Sequence, residues 1–146
     1  MRSVVSLLAV SLLCPAAAQA GDDVALKKAL EAVAGKWKFL KVETGGGGPN
    51  ESVEGAFLDI AQDGKTLAFI RGGKANKGTF TIDPAKKPKE ITITRDGSNR
   101  STLGIYRIEK NVMTLCYARK DGAERPKEFA ATKDEKFMLM TLERAK

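Results

Sequence analysis

Histidine is the residue type whose absence most restricts the chemistry of this sequence. None of the 146 residues is a histidine. This excludes Ser-His-Asp and Cys-His nucleophilic pairs, imidazole metal sites and the side chain best suited to proton transfer near neutral pH. The two cysteines, Cys14 and Cys116, are too few for a thiolate zinc site or an iron–sulfur cluster. The sequence therefore predicts no catalytic residue, no metal site and no cofactor, and it disfavours an enzyme.

Three short motifs look at first like ligand-binding loops, but each lacks an essential part. The glycine-rich segment 45–50 has no Lys-Ser/Thr pair, and no helix pattern follows it. Gly64-Lys65-Thr66 resembles the end of a phosphate-binding loop, but position 59 is Asp where the leading glycine belongs. Segment 96–99 lacks the ligand spacing of a calcium loop. All three are interpreted as plain turns or loops.

The net charge of +7 raises the question of a polyanionic partner. The basic residues form two clusters, Lys86, Lys87 and Lys89 in the first and Arg119, Lys120, Arg125 and Lys127 in the second. Acidic residues are interleaved with both clusters: Glu90, Asp121, Glu124 and Glu128. Because they dilute the positive field, a solvated surface is favoured and a nucleic-acid partner is not expected.

The first twenty residues have the pattern of a cleaved signal peptide. Arg2 precedes an apolar stretch from Val4 to Leu13, and Ala18-Gln19-Ala20 forms a small-x-small cleavage site before Gly21. A membrane anchor is disfavoured because Cys14-Pro15 interrupts the apolar run. We therefore expect residues 1–20 to be removed and the protein to be exported to the periplasm or the extracellular space.

Two further expectations concern the cysteines and the mature chain. Lipid attachment at Cys14 is disfavoured because Leu13 precedes it, where a lipoprotein signal has a small residue. Residues 21–146 are expected to form a single domain without a transmembrane span. Cys116 lies in the apolar run Met113–Tyr117, so burial in the core is favoured over a reactive thiol.

The periodicity of the mature chain predicts one short helix followed only by strands. Asp22 or Asp23 can cap a helix whose apolar residues Leu26, Leu30 and Val33 share a face, and Gly35 is placed to end it. Beyond Gly35 the period changes to two. Nine strands are predicted: Lys36–Thr44, Ala56–Gln62, Lys65–Arg71, Lys77–Ile82, Glu90–Arg95, Thr102–Glu109, Val112–Lys120, Lys127–Thr132 and Lys136–Arg144.

The connections between these strands predict antiparallel neighbours. Asp63-Gly64 is typical of a tight type I′ hairpin, and the link from Glu109 to Val112 is similarly short. No connection is long enough for a crossover helix. The pattern therefore indicates an all-β fold, either an up-and-down barrel or a sandwich.

Five segments carry a resemblance to a known family: Gly35–Lys38, Gly78–Lys89, Leu103–Tyr106, Leu115–Ala118 and Glu124–Phe129. In order and spacing they resemble the uncharacterised lipocalin-like domain that is abundant in planctomycete bacteria. The resemblance covers nearly all of residues 21–146. It implies a small antiparallel lipocalin-like β-barrel of eight to nine strands after one short helix, in an exported bacterial protein without an assigned activity.

A looser similarity connects the chain to the lipocalins proper. Their first strand carries Gly-x-Trp, matched here by Gly35 and Trp37, and an arginine near the end of the barrel covers that tryptophan. The resemblance implies that Arg144 stacks on Trp37 and closes the barrel bottom.

Two functional hypotheses follow. In the first, the barrel binds an apolar or amphipathic small molecule through residues drawn from Phe39, Phe57, Phe69, Phe80, Tyr106 and Tyr117, although each of these could instead fill the core. In the second, the protein is an interaction or inhibitor domain that binds an exported protein through its loops, above all Gly45–Ser52.

Overall fold

Alternating inward and outward residues build a sheet that closes on itself. The structure, a computed structural model, describes residues 16–45, 53–120, 122–132, 134 and 136–146. Its elements are the helix α1 (Ala16–Val33) and the strands β1 (Gly35–Thr44), β2 (Phe57–Ile60), β3 (Thr66–Arg71), β4 (Lys74–Asp83), β5 (Lys89–Arg95), β6 (Ser101–Glu109), β7 (Val112–Ala118) and β8 (Phe137–Arg144). Each strand pairs antiparallel with the next, and β8 pairs with β1. The predicted all-β, lipocalin-like barrel is confirmed.

The barrel has two distinct ends. At the lower end α1 meets the start of β1, next to the loops 61–65, 84–88 and 110–111. At the upper end lie the turn 72–73, the loop 96–100 and the connection from β7 to β8. Among the described residues, the structure contains no helix of sufficient length and apolar character to cross a membrane.

The predicted helix lies in the right place but starts at a different residue. It begins at Ala16, ahead of the predicted caps Asp22 and Asp23, and it runs through the predicted cleavage site after Ala20. Alanine has the highest helix propensity, and the alanine-rich segment 16–20 extends the helix toward the N-terminus. Leu30 and Val33 pack on the core, whereas Leu26 is exposed.

One predicted strand does not exist. Residues 127–132 are irregular and cross the outer surface of the barrel. The physical reason is the closure of the sheet: β7 already pairs with β6 on one side and with β8 on the other. A ninth strand would find no free edge there.

Two local irregularities adjust the barrel. The register between β1 and β8 shifts between Phe39 and Lys41, so Leu40 is an extra residue of a bulge and 49% of its surface is exposed. The Asp63-Gly64 turn is a five-residue loop, 61–65, instead of the predicted two-residue hairpin. Its Asp63 carboxylate accepts hydrogen bonds from the backbone N–H groups of Lys65 and Thr66.

Candidate functional site

The lower half of the barrel is packed solid around Trp37, which is fully buried. The indole Nε1 donates a 2.8 Å hydrogen bond to the carbonyl of Val33 at the end of α1. The guanidinium of Arg144 lies 4.3 Å from the centre of the indole ring and donates to the carbonyls of Ala32 and Ala34. These two side chains therefore satisfy three carbonyl groups that the helix end leaves free.

Gly35 connects the helix to this closure. Its φ of +118° is one that L side chains rarely adopt, and an added Cβ would lie 2.9 Å from an Arg144 guanidinium nitrogen. The structure thus brings together Gly35, Trp37 and Arg144, the three residues that the resemblance assigned to barrel closure.

The upper half of the barrel contains a cavity of about 210 Å³. Its apolar wall consists of Phe39, Leu58, Leu67, Phe69, Ile93, Leu115 and Met140, together with the ring of Tyr117. Asn76, Lys77, Gly78, Arg95 and Thr102 complete the lining. The volume is larger than the roughly 150 Å³ apolar cavity that holds benzene in an engineered protein, and smaller than a drug-sized site.

The size of the inward-facing residues explains why only the upper half is hollow. On β4 the large Phe80 faces inward in the lower half, whereas the same face carries Gly78 and Asn76 higher up. On β6 the inward Tyr106 of the lower half is followed upward by Gly104 and Thr102. Asn76, Gly78 and Thr102 line the cavity and are smaller than the aromatic residues below them. At Gly104, in contrast, the neighbouring strand is close, since an added Cβ would lie 2.8 Å from the Cys116 carbonyl oxygen.

The six aromatic residues proposed from the sequence separate into three groups. Phe39, Phe69 and Tyr117 line the cavity, and the rings of Phe39 and Phe69 meet edge to face at 5.4 Å. Phe80 and Tyr106 belong to the packed core. Phe57 lies on the outer surface, where the Lys36 ammonium is 4.5 Å from its ring centre.

This placement corrects the assignment of Phe57, Phe80 and Tyr106 as cavity residues. Side chains alternate between the two faces of β2. Phe57 lies on the same face as the exposed Asp59, whereas the buried Leu58 and Ile60 lie on the inward face. The alternation of the strand therefore directs Phe57 outward.

The upper rim of the cavity carries the polar groups. The Tyr117 hydroxyl donates to Met138 Sδ at 3.1 Å. Burial raises the pKa of Tyr117, and the positive charges of Arg95 and Arg119 partly oppose this. Arg95 follows Ile91 and Ile93 at a spacing of two on β5, so it belongs to the inward face at the upper end of the strand. The sequence contained this signal for Arg95, but the prediction considered only aromatic residues.

A second structured region covers the outside of the barrel. The segment 122–132, here called the strap, crosses β5, β6 and β7. Arg125 anchors it by donating to the carbonyls of Ile91 and Gly104 at 2.7 and 2.6 Å, and its Nε lies 3.4 Å from the Glu90 carboxylate. One member of the second basic cluster is therefore committed to holding the strap.

Cys116 lies beneath the strap. It is fully buried, and its thiol donates to the Ala130 carbonyl at 3.6 Å. Burial raises the pKa of the thiol, which opposes formation of a nucleophilic thiolate. The cysteine is buried as expected, but it faces the strap and not the barrel interior, because its neighbours Leu115 and Tyr117 face inward.

The other chemistry considered from the sequence has little structural support. No group of three or more Cys, Asp or Glu side chains within the described part of the chain is arranged to hold a metal ion. Most of the Gly45–Ser52 loop, residues 46–52, lies outside the described residues. The fold and the cavity define a lipocalin-like β-barrel with a half-filled interior. No family model, no curated protein and no solved structure matches the chain.

Proposed function

We propose that this protein is an exported binding barrel that takes up one small apolar or amphipathic molecule in the upper half of its interior. The observation that carries the proposal is the contrast between the two halves of one barrel. Large buried side chains pack together in the lower half, whereas the upper half keeps a cavity of about 210 Å³ with mostly apolar walls. An apolar cavity that opens toward solvent through a polar rim is typical of a small-molecule site.

Export is part of the same proposal and depends on the sequence pattern of residues 1–20. Cleavage after Ala20 would leave Gly21, Asp22 and Asp23 at the start of α1, where acidic side chains are favourable. Leu30 and Val33, which pack on the barrel, lie well beyond the cut. We propose the bacterial setting only on the resemblance of the five sequence segments to the planctomycete lipocalin-like domain.

Calorimetric titration with octan-1-ol tests the binding proposal directly. Trp37 lies below the cavity and does not line it, so its fluorescence is a poor reporter. We expect octan-1-ol to bind with a negative heat-capacity change, the mark of apolar burial. Leu115→Phe, which places a larger side chain in the cavity, should weaken binding at least tenfold.

Val112→Phe is the matched control, because Val112 lies on the same strand but on the outer face, 37% exposed. It should bind octan-1-ol like the unsubstituted protein. Equal binding by both variants would place the probe outside the cavity. Absence of any binding would refute the proposal. Native mass spectrometry of protein from the exported fraction adds an independent test, since a mass excess lost on denaturation would show a bound natural ligand.

A further inference from the structure

The polar and charged residues of the cavity all lie toward its upper rim. Asn76, Arg95 and Thr102 stand at the upper parts of β4, β5 and β6, and Tyr117 stands at the upper part of β7. The apolar wall lies below and around them. A ligand that fills this space has an apolar body inside and a polar group at the rim.

The charge of this rim has one sign. Its ionised side chain is Arg95, since Lys77 lies on the opposite face of β4 from Asn76 and Gly78, and no carboxylate is among the described residues that line the cavity. No side-chain hydrogen bond or ion pair engages Arg95 within the described part of the chain. In contrast, Arg125 and Arg144 are each held by backbone carbonyls. Among the described residues that line the cavity, Arg95 thus supplies a guanidinium with free donors.

Two further side chains can complete an anion site. The Tyr117 hydroxyl is bonded only to the weak acceptor Met138 Sδ in the described structure, so it can turn its proton to a stronger acceptor. Asn76 offers amide N–H donors from the opposite part of the rim. A guanidinium binds a planar anion through two parallel N–H donors.

We propose that the cavity selects an organic monoanion with a compact apolar body, whose charged group pairs with Arg95 at the rim. This inference rests on the proposed binding function and specifies the class of its ligand. The cavity volume limits the enclosed part of that ligand to about the size of a single ring or a short alkyl chain. A medium-chain carboxylate has this combination of head and tail.

Three probes share the same eight-carbon chain and differ only in the head group: octanoate, octan-1-ol and octylammonium. Calorimetric titration of each at pH 7 therefore measures the contribution of the head group to the affinity. We expect octanoate to bind about tenfold more tightly than octan-1-ol, as a charge-assisted hydrogen bond would give. Octylammonium should bind most weakly. Arg95→Gln should remove the advantage of octanoate and leave the affinity for octan-1-ol unchanged.

Lys127→Gln is the control, because Lys127 is exposed in the strap on the outside of the barrel, is not among the lining residues and carries the same charge. It should keep the preference for octanoate. An equal effect of both substitutions would show general surface attraction and overturn the inference.

The remaining outcomes separate this inference from the proposed function. If all three probes bind the unsubstituted protein equally, the selection of an anion is refuted while the binding function stands. If none binds, the binding function itself fails. The ranking of probes on the unsubstituted protein decides between these outcomes even if Arg95→Gln does not fold.

Discussion

Arg144 shows how one side chain can serve a helix, a strand and the core together. It extends from β8, covers the face of Trp37 and donates to the carbonyls of Ala32 in α1 and of Ala34 just after it. A positive charge at this position also opposes the negative end of the helix dipole. Lysine could not reproduce the arrangement, because its single ammonium lacks the planar, forked donors.

Tyr106 is the opposite case, a polar group that the core leaves without a partner. The residue is 2% exposed, and its hydroxyl has no hydrogen-bond partner in the described structure. Burial raises the pKa of Tyr106 to about 12, and the nearby Asp83 charge contributes in the same direction. Both effects disfavour the phenolate in the folded state.

Tyr106→Phe therefore should not destabilise the protein at neutral pH, and it should change the dependence of stability on alkaline pH. In the unfolded chain the phenol ionises near pH 10, whereas in the folded protein its pKa is about 12. The stability contribution of the neutral phenol is complete below pH 10 and is lost as the pH rises from 10 toward 12. The two-unit difference corresponds to about 3 kcal/mol.

Urea unfolding at pH values from 8 to 12 measures this effect. The variant should lose less stability than the unsubstituted protein across the alkaline range. Parallel pH profiles would contradict the assigned pKa. A large loss of stability at pH 7 would show that the hydroxyl is hydrogen-bonded in solution.

At the level of elements, strand patterns were predictable because a half-buried sheet imposes a period of two on its residues. Eight predicted strands correspond to β1–β8, with ends shifted by a few residues. The failed prediction at 127–132 has a non-local cause: the segment has strand-like composition, but all edges are used once β1 and β8 pair. Sequence periodicity carries no information about which edges remain free.

The strap makes a separate prediction about Cys116. Arg125→Gln removes the guanidinium that holds the strap to the carbonyls of Ile91 and Gly104. We expect the strap to open more often and the thiol, which lies beneath it, to react at least several-fold faster with a neutral thiol reagent. The rate is measured under native conditions, with global stability determined in parallel.

Lys127→Gln is the control, since it removes the same charge from an exposed position within the strap. In this variant the Cys116 thiol should react with the reagent at the same rate as in the unsubstituted protein. Equal acceleration by both changes, or none by Arg125→Gln, would mean that Arg125 does not hold the strap closed.

At the level of the whole molecule, the sequence predicted the closed wall but not the space inside it. The alternation of apolar and polar residues along each strand identifies which side chains face inward, as it does for Phe39 and Phe69. Whether inward side chains fill the interior depends on their summed volume at one height across several strands. Gly78 and Thr102 bring little side-chain volume to the upper end, and they meet at the same cavity because β4 and β6 lie on either side of β5. Their effect was therefore not visible in any single segment.

Two leucines of nearly equal burial test whether the barrel is hollow above and solid below. Leu115 lines the cavity and is 1% exposed, whereas Leu142 lies in the lower core and is 0% exposed. Leu115→Phe can extend its ring into empty volume, so the free energy of unfolding should stay within about 1 kcal/mol of the unsubstituted value. Leu142→Phe must displace close-packed neighbours and should cost about 1 to 3 kcal/mol. The two leucines have nearly the same exposed area. A difference between the two variants in the free energy of unfolding, measured with urea, therefore reports how tightly each position is packed. Equal losses would show that the upper interior is as well filled in solution as the lower one, and binding would then have to be sought outside the barrel.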